Sequence, residues 1–404
     1  MPPVRSTAIL AVAALALTAC ASTQSAAATS RPLVSHSPAP TPTHGATPTA
    51  TPAPTGPFAL LATNNNRQGS TYDVLLVDEA GHIVARVTAK LPLLKPHQTI
   101  TIPLANATTS GAYYLDGDTD IHTLNPDGSA PVLKTIAAGT ASTLAFAVSP
   151  DGQRVAVSVI TEQSVGTRTT GHGYIEDLRD ANGHVDIFSN TAVAAYRWPI
   201  AWHANNVVDA IGSANCGNYG YGSGTNSIAC AQSLHVINAT TQSRAATICE
   251  QPAAAASGES YSWSLTGLLT RAGAVCNESE YNSPDGANTC AIAAVDLNGI
   301  HHSFMSSPCA QINGNLSLTN CFLSPDGTRM ACQSSSNFAL VFLSSSGATH
   351  NLGRRYNVLG WIDASHLMVQ VDTTTLAVLQ ADTGAVTNVT LTGADQVTMD
   401  GVAG

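Results

Sequence analysis

One unit recurs along this chain: a short apolar strand, a polar turn usually carrying Gly or Asn, and a second strand. The copies are VLLVDEAGHIVARV (74–87), IHTLNPDGSAPVLKTI (121–136), VDIFSNTAVAAYRW (185–198), LHVINATTQSRAATI (234–248), IAAVDLNGIHHSF (292–304), LVFLSSSGATHNL (340–352) and LAVLQADTGAVTNVTL (376–391). Their spacing is roughly 40 to 60 residues, the mark of a repeat architecture. Gly or Asn at the turn supplies the positive φ that tight hairpins require. A unit of this kind cannot bury its apolar face alone, so the copies must pack on one another.

A second hairpin precedes most copies. TLAFAVSPDGQRVAVSVI (143–160), LTNCFLSPDGTRMACQ (318–333) and GWIDASHLMVQVD (360–372) are the clearest. Two hairpins per unit give four antiparallel strands in about 45 residues, the size of a propeller blade. Residues 58–404 have room for seven blades. The expected fold is therefore all-β, a seven-bladed β-propeller of four-stranded antiparallel blades. Blade one opens directly at FALLATN (58–64), and the chain ends with DQVTMDGVAG after blade seven is complete. The tail is expected to supply the innermost strand of blade one and so remove the free sheet edge.

The tetrapeptide Ser-Pro-Asp-Gly stands at Ser149, Ser283 and Ser324, with Asn-Pro-Asp-Gly at Asn125. Placed after first strands or between third and fourth strands, it resembles the turns of TolB-like and WD-repeat-like propellers. The Trp-Asp dipeptide of true WD repeats is missing. The resemblance implies a module that binds proteins or small molecules, and a fold that hosts many functions. Pro and Gly set these turns, and Asp151 and Asp326 are read as turn residues rather than chemical groups.

The beginning of the chain speaks of export. Residues 1–19 carry one basic side chain, Arg5, and then the apolar run AILAVAALALTA, which Cys20 follows directly. That is the layout of a secretory signal, and the run is shorter than the roughly 20 residues of a spanning helix. Leu17 to Cys20, LTAC, resembles the lipobox of bacterial lipoproteins. The resemblance implies cleavage before Cys20, lipidation of its thiol, and a protein anchored in the cell membrane on the extracytoplasmic side. Residues 20–57 are rich in Pro, Thr, Ala and Ser with no apolar periodicity, and read as a disordered spacer before the domain at 58–404. The formal charge of −10 and only three lysines, Lys90, Lys95 and Lys134, offer no basic stripe for nucleic acid.

Setting Cys20 aside leaves eight cysteines, an even number suited to disulfides in an exported protein: Cys216, Cys230, Cys249, Cys276, Cys290, Cys309, Cys321 and Cys332. Cys216 with Cys230 and Cys276 with Cys290 would each cross-link the ends of one loop. The competing arrangement joins neighbouring blades, Cys249 with Cys276 and Cys309 with Cys332. Whether Cys321 and Cys332 bond to each other or to neighbouring blades stays open. No C-x-x-C or finger-like Cys/His spacing occurs, so no zinc site is expected.

Ligands are expected on the face that carries the loops from second to third strands. Blade three reads as having a long one (161–184), blade four another (213–230) and blade five a third (276–290). In CGNYGYGSGTNSIAC, Tyr219 and Tyr221 sit among Gly, Ser and Asn, a composition suited to recognition. Tyr174 and Glu176 in the blade-three loop join them as candidate ligand-binding residues, with Glu176, Asp177, Arg179 and Asp180 forming a charged cluster. His203, which follows PIAW near an innermost strand, is a further ligand-binding candidate if it approaches the central channel, and otherwise a satisfied core or rim histidine. Asp116 to Asp120, DGDTD, resembles the start of a calcium loop, but the twelfth position holds Asp127 and the sixth Ile121, so a solvated turn is the expectation. There is no G-x-S-x-G elbow and no H-E-x-x-H pair. No catalytic residue, metal or cofactor is assigned. The reading is a binding or scaffold module for a protein or glycan at the cell envelope. Carboxylates or histidines converging at the mouth of the channel would instead favour a hydrolase or lyase acting on an extracellular peptide or glycan. Apolar and small residues there would favour the binder.

Overall fold

The computed structural model describes residues 55–63, 69–95, 103–164, 168–180, 183–192, 195–213, 231–250, 260–281, 289–308, 318–334, 339–372, 374–391 and 397–403. All described residues lie in the unit Pro52–Gly404. The expected signal segment, Cys20 and most of the spacer therefore lie outside them, as do Cys216, Cys230, Cys309, Tyr219, Tyr221 and the turn at Ser283.

Blade one takes β1 (Phe58–Ala62), β2 (Thr71–Val77) and β3 (Ile83–Lys90). Blade two is β4 (Ala105–Thr108), β5 (Gly111–Asp116), β6 (Asp120–Leu124) and β7 (Val132–Thr135). Blade three is β8 (Ser142–Val148), β9 (Arg154–Ser164), β10 (Arg168–Asp177) and β11 (His184–Ala192). Blade four is β12 (Ala195–His203), β13 (Asn206–Ser213), β14 (Ala231–Asn238) and β15 (Arg244–Ile248). Blade five is β16 (Ser260–Thr270), β17 (Gly273–Tyr281), β18 (Thr289–Val295) and β19 (His301–Pro308). Blade six is β20 (Leu318–Leu323), β21 (Arg329–Ser334), β22 (Ala339–Ser344) and β23 (Thr349–Arg355). Blade seven is β24 (Asn357–Trp361), β25 (His366–Gln370), β26 (Leu376–Gln380) and β27 (Val386–Val389), and β28 (Thr398–Ala403) follows.

These form seven four-stranded sheets, each an antiparallel meander, and the ring is a seven-bladed β-propeller. As expected from the sequence, β28 returns to blade one, which runs β28-β1-β2-β3, with Phe58 opposite Ala403 and Ala62 opposite Thr398. First and last strands thus close the ring by backbone hydrogen bonds.

The core is a series of interfaces between blades rather than one central mass. Between blades six and seven, Ala331, Leu340 and Phe342 meet Val358, Trp361, Leu367 and Leu379. Strands in the middle of a blade are covered on both faces and read as apolar runs, as in LAVLQ of β26. Outer strands are exposed, as in THNLGRR of β23.

The Ser-Pro-Asp-Gly turns have one construction. The Ser149 hydroxyl donates to Asp151 Oδ1 at 2.5 Å and accepts from the Arg154 amide at 2.9 Å. Ser324 does the same with Asp326 at 2.6 Å and Arg329 at 3.0 Å. Gly152 and Gly327 take φ of 67° and 74°, where a side chain would be strained. The arginine after each turn reaches the next blade: Arg154 Nη1 donates to Asn205 at 2.8 Å, and Arg329 Nη1 to Asp382 at 2.6 Å. A tryptophan answers from that blade's innermost strand, Trp202 donating to the Ala147 carbonyl at 2.9 Å and Trp361 to that of Phe322 at 2.8 Å. Asp in this motif holds a turn, and the motif as a whole latches one blade to the next.

Four expectations need correction. Residues 185–198 are not a hairpin within one blade: β11 ends blade three and β12 begins blade four. The stretch 161–184 is accordingly mostly strand, the end of β9 and all of β10. Its residues alternate with period two, but the alternation is Thr170, His172, Tyr174, Glu176 against Gly and Ile, polar enough at an outer edge to read as loop. Cys276 does not pair with Cys290 but with Cys249 (Cα–Cα 5.8 Å), one of the two inter-blade links weighed. Register explains this. Cys276 lies opposite Ala293 and Cys290 opposite Ser279, three residues along the ladder or about 10 Å. Cys290 is itself disulfide-bonded. Cys332 pairs with Cys321 across the β20–β21 hairpin (Cα–Cα 4.0 Å), so the Cys309–Cys332 link is not made. The ladder shifts between Thr319 and Phe322, with Asn320 at φ 48°, and this bulge sets Cys321 beside Cys332.

Candidate functional site

Among the described residues, apolar side chains pack across the axis. A Cβ built on Gly360 of β24 would lie 2.6 Å from Leu268 Cδ1 of β16 and 2.8 Å from Met399 Sδ of β28. Blades five, seven and one therefore meet at one point, and the innermost strands of non-neighbouring blades meet only across the axis. Leu268 gets there because the β16–β17 ladder slips between Thr266 and Thr270, with Gly267 at φ 70° pressed against the Cys321 carbonyl. On the other side Asn106 of β4 spans three blades. It accepts from the Val148 amide at 2.9 Å and donates to the Ile200 carbonyl at 3.1 Å. Among the described residues, one carboxyl lies on an innermost strand, Asp400 of β28. The residue is only partly buried, but its Oδ2 is shut off without a hydrogen-bond partner, and burial pushes the group up to about 7.

The chemically richest surface among the described residues is the outer edge of blade three. Along β10, His172, Tyr174 and Glu176 share one face by strand alternation. In β11 the ladder skips Ile187: Gly173 faces Phe188, but Tyr174 faces Asp186 and Glu176 faces His184. Without that bulge His184 and Asp186 would point to the opposite face. With it, five polar or aromatic side chains share one surface, next to the outer strand of blade two.

Asp186 Oδ1 lies 2.7 Å from His172 Nε2 and 3.1 Å from His184 Nε2. The other nitrogen of His184, Nδ1, lies 2.8 Å from Glu176 Oε1, and Lys134 from blade two reaches Glu176 Oε2 at 3.4 Å. The Tyr174 ring stands 4.6 Å from the His184 ring and 5.1 Å from that of His172, so both imidazoles are held by packing as well as by charge. Tyr174 is 7% exposed, whereas the side chain of Asp186 is 66% exposed. The hydrogen bond to Glu176 raises His184, and those from His172 and His184 lower Asp186. Burial pushes Glu176 up, but His184 and Lys134 outweigh it and hold the carboxyl below its ordinary range. The result is an accessible pair of imidazoles around one carboxylate oxygen.

Sequence reading named Tyr174 and Glu176 but placed them in a loop on the ligand face. They lie in β10 near its turn into β11, at the opposite end of the blade. Asp177 is held by Arg179 through Oδ1 at 3.0 Å and Oδ2 at 2.7 Å, far below the usual carboxylate range. His203 ends β12 at the hairpin into β13, on blade four, and is not part of this cluster. The acidic run at 116–120 is a hairpin turn whose carboxylates hold the link from blade one: Asp116 accepts from the Lys90 amide at 2.7 Å, and Asp118 pairs with Lys95 at 2.8 Å. His172, His184 and Asp186 were missed. The period-two order from Thr170 to Glu176 was the signal that could have found them.

No family model matches the chain, and no curated protein matches it. Among solved structures, it is similar to an oligogalacturonate lyase from Vibrio parahaemolyticus, at 9% identity and a TM-score of 0.44 over 77% of this chain and 87% of that one. It is also similar to an oligogalacturonate lyase in complex with manganese (12% identity, TM-score 0.43, 81% of this chain and 89% of that one). A prolyl endopeptidase gives 10% identity and a TM-score of 0.43 over 84% of this chain and 50% of that one.

Proposed function

We propose that the protein is an extracytoplasmic lipoprotein whose propeller is a non-catalytic binding or scaffold module for a protein or glycan of the cell envelope. The observation that carries the reading is the apolar packing across the axis. Leu268, Met399 and Gly360 meet there, and Asn106 ties blades two, three and four together with its amide. Apolar and small residues at the centre support a rigid display platform, and recognition falls to the rim and the outer blade faces. The anchor rests on the LTAC sequence before Cys20 and on the Pro/Thr spacer that would lift the domain off the membrane.

The test is sedimentation of the full chain with purified cell-wall polymer and with envelope membranes, followed over time. A binder is retained and releases no soluble fragments. Time-dependent release of fragments would replace this reading by the hydrolase or lyase one. In the producing cell, labelled palmitate is expected to enter the chain and to be lost in Cys20→Ser. Label retained in that variant would overturn the anchor.

A further inference from the structure

We infer that His172, His184 and Asp186 form a binding site for a divalent transition-metal ion of the zinc class, on the outer edge of blade three. The three ligand atoms lie within 4.8 Å of one another. In a tetrahedral site with bonds of about 2.0–2.1 Å, ligand atoms stand about 3.3 Å apart. The imidazole nitrogens already stand 2.7 and 3.1 Å from the carboxylate oxygen, so a small opening of the trio admits an ion.

The surroundings fit the chemistry. Glu176 accepts a hydrogen bond from His184 Nδ1, which fixes the tautomer and leaves Nε2 to the metal, and Lys134 holds Glu176 in turn. Tyr174 supports both rings from beneath. The ladder bulge that brings β11 into phase makes the site a product of strand register, not of a wandering loop. Two imidazoles with one carboxylate select zinc, nickel or copper over calcium and magnesium, which prefer all-oxygen shells. The side chains of His172 and His184 are 43% and 41% exposed, so the ion has direct access, and three protein ligands leave a position open to water.

The experiment is calorimetric titration of chelator-treated full chain with zinc chloride. One equivalent is expected to bind at this site. His172→Ala and His184→Ala should each weaken it by about tenfold or more, and Glu176→Gln by about tenfold. His301→Ala and His302→Ala, on blade five, should leave it unchanged. Copper loaded into the wild type should show two coordinated imidazole nitrogens by electron paramagnetic resonance, and one in either single variant, which reads the site even where a variant loses stability. Absence of binding to the wild type, or an unchanged site in the His172→Ala/His184→Ala double variant, overturns the inference.

Discussion

The axis of the propeller and the outer edge of blade three are built from the same four-stranded meander, yet they hold opposite chemistries. At the axis, Leu268, Met399 and Gly360 pack from three blades, and the amide of Asn106 is spent on backbone groups. At the edge, His172, His184 and Asp186 are open to solvent and held by Glu176 and Tyr174. Strand order explains the contrast. Inner strands face one another and satisfy most of their polar atoms internally, Asp400 Oδ2 and Trp198 Nε1 excepted, whereas outer strands keep one flank in water and tolerate charge. In this molecule the blades are joined by packing at their seams and across the axis, and the polar cluster of blade three lies at the rim.

That contrast predicts a ranking. The largest loss is expected at the seam between blades three and four, where Arg197 Nε donates to the buried Asp209 at 2.6 Å and its guanidinium lies 4.4 Å from the Phe188 ring. Burial pushes Asp209 up while Arg197 pulls it back. Arg197→Ala leaves that carboxyl buried and alone and should cost about 4 kcal/mol in denaturant unfolding. Next is Asn106→Ala, which orphans the Val148 amide and the Ile200 carbonyl and should cost about 2 kcal/mol.

Asp400 gives a gain instead. Its carboxyl stays protonated in the fold up to about 7 but ionises near 3.8 when unfolded. The folded state binds the extra proton between those values, so stability falls as pH rises through that window. Asp400→Asn should leave stability at pH 4 nearly unchanged and raise it at pH 8, by an amount on the order of 2 kcal/mol. A wild-type melting temperature that climbs from pH 4 to pH 7 while that of the variant stays flat would contradict the assignment. The smallest effect belongs to the edge. His172→Ala, in the absence of metal, should change stability by no more than about 0.5 kcal/mol, as exposed ion pairs do. A loss there as large as that at Asn106 would erase the distinction between the two regions.

The fold was legible because its signals are local. Turn chemistry at Ser149 and Ser324, apolar runs such as LAVLQ, and a tail lacking a partner strand fixed blade, count and closure. The blade-three edge was not legible, for two reasons. Its strands are polar, so β10 looked like a loop and VDIFSNTAVAAYRW like a hairpin. Its convergence also depends on one skipped residue, Ile187, and no pattern of residue types reveals a bulge before the ladder is known. The disulfides teach the same lesson. Matching blade positions offered Cys249 with Cys276 only as the competitor to Cys276 with Cys290, and offered Cys309 with Cys332 by the same logic, whereas Cys332 pairs with Cys321 through the bulge at Asn320.

Anomalous diffraction from crystals soaked in zinc tests most directly whether chemistry lies at the rim and packing at the centre. The account predicts a peak bounded by His172, His184 and Asp186 and none on the axis. A peak on the axis beside Asp400, with the blade-three edge bare, would contradict it.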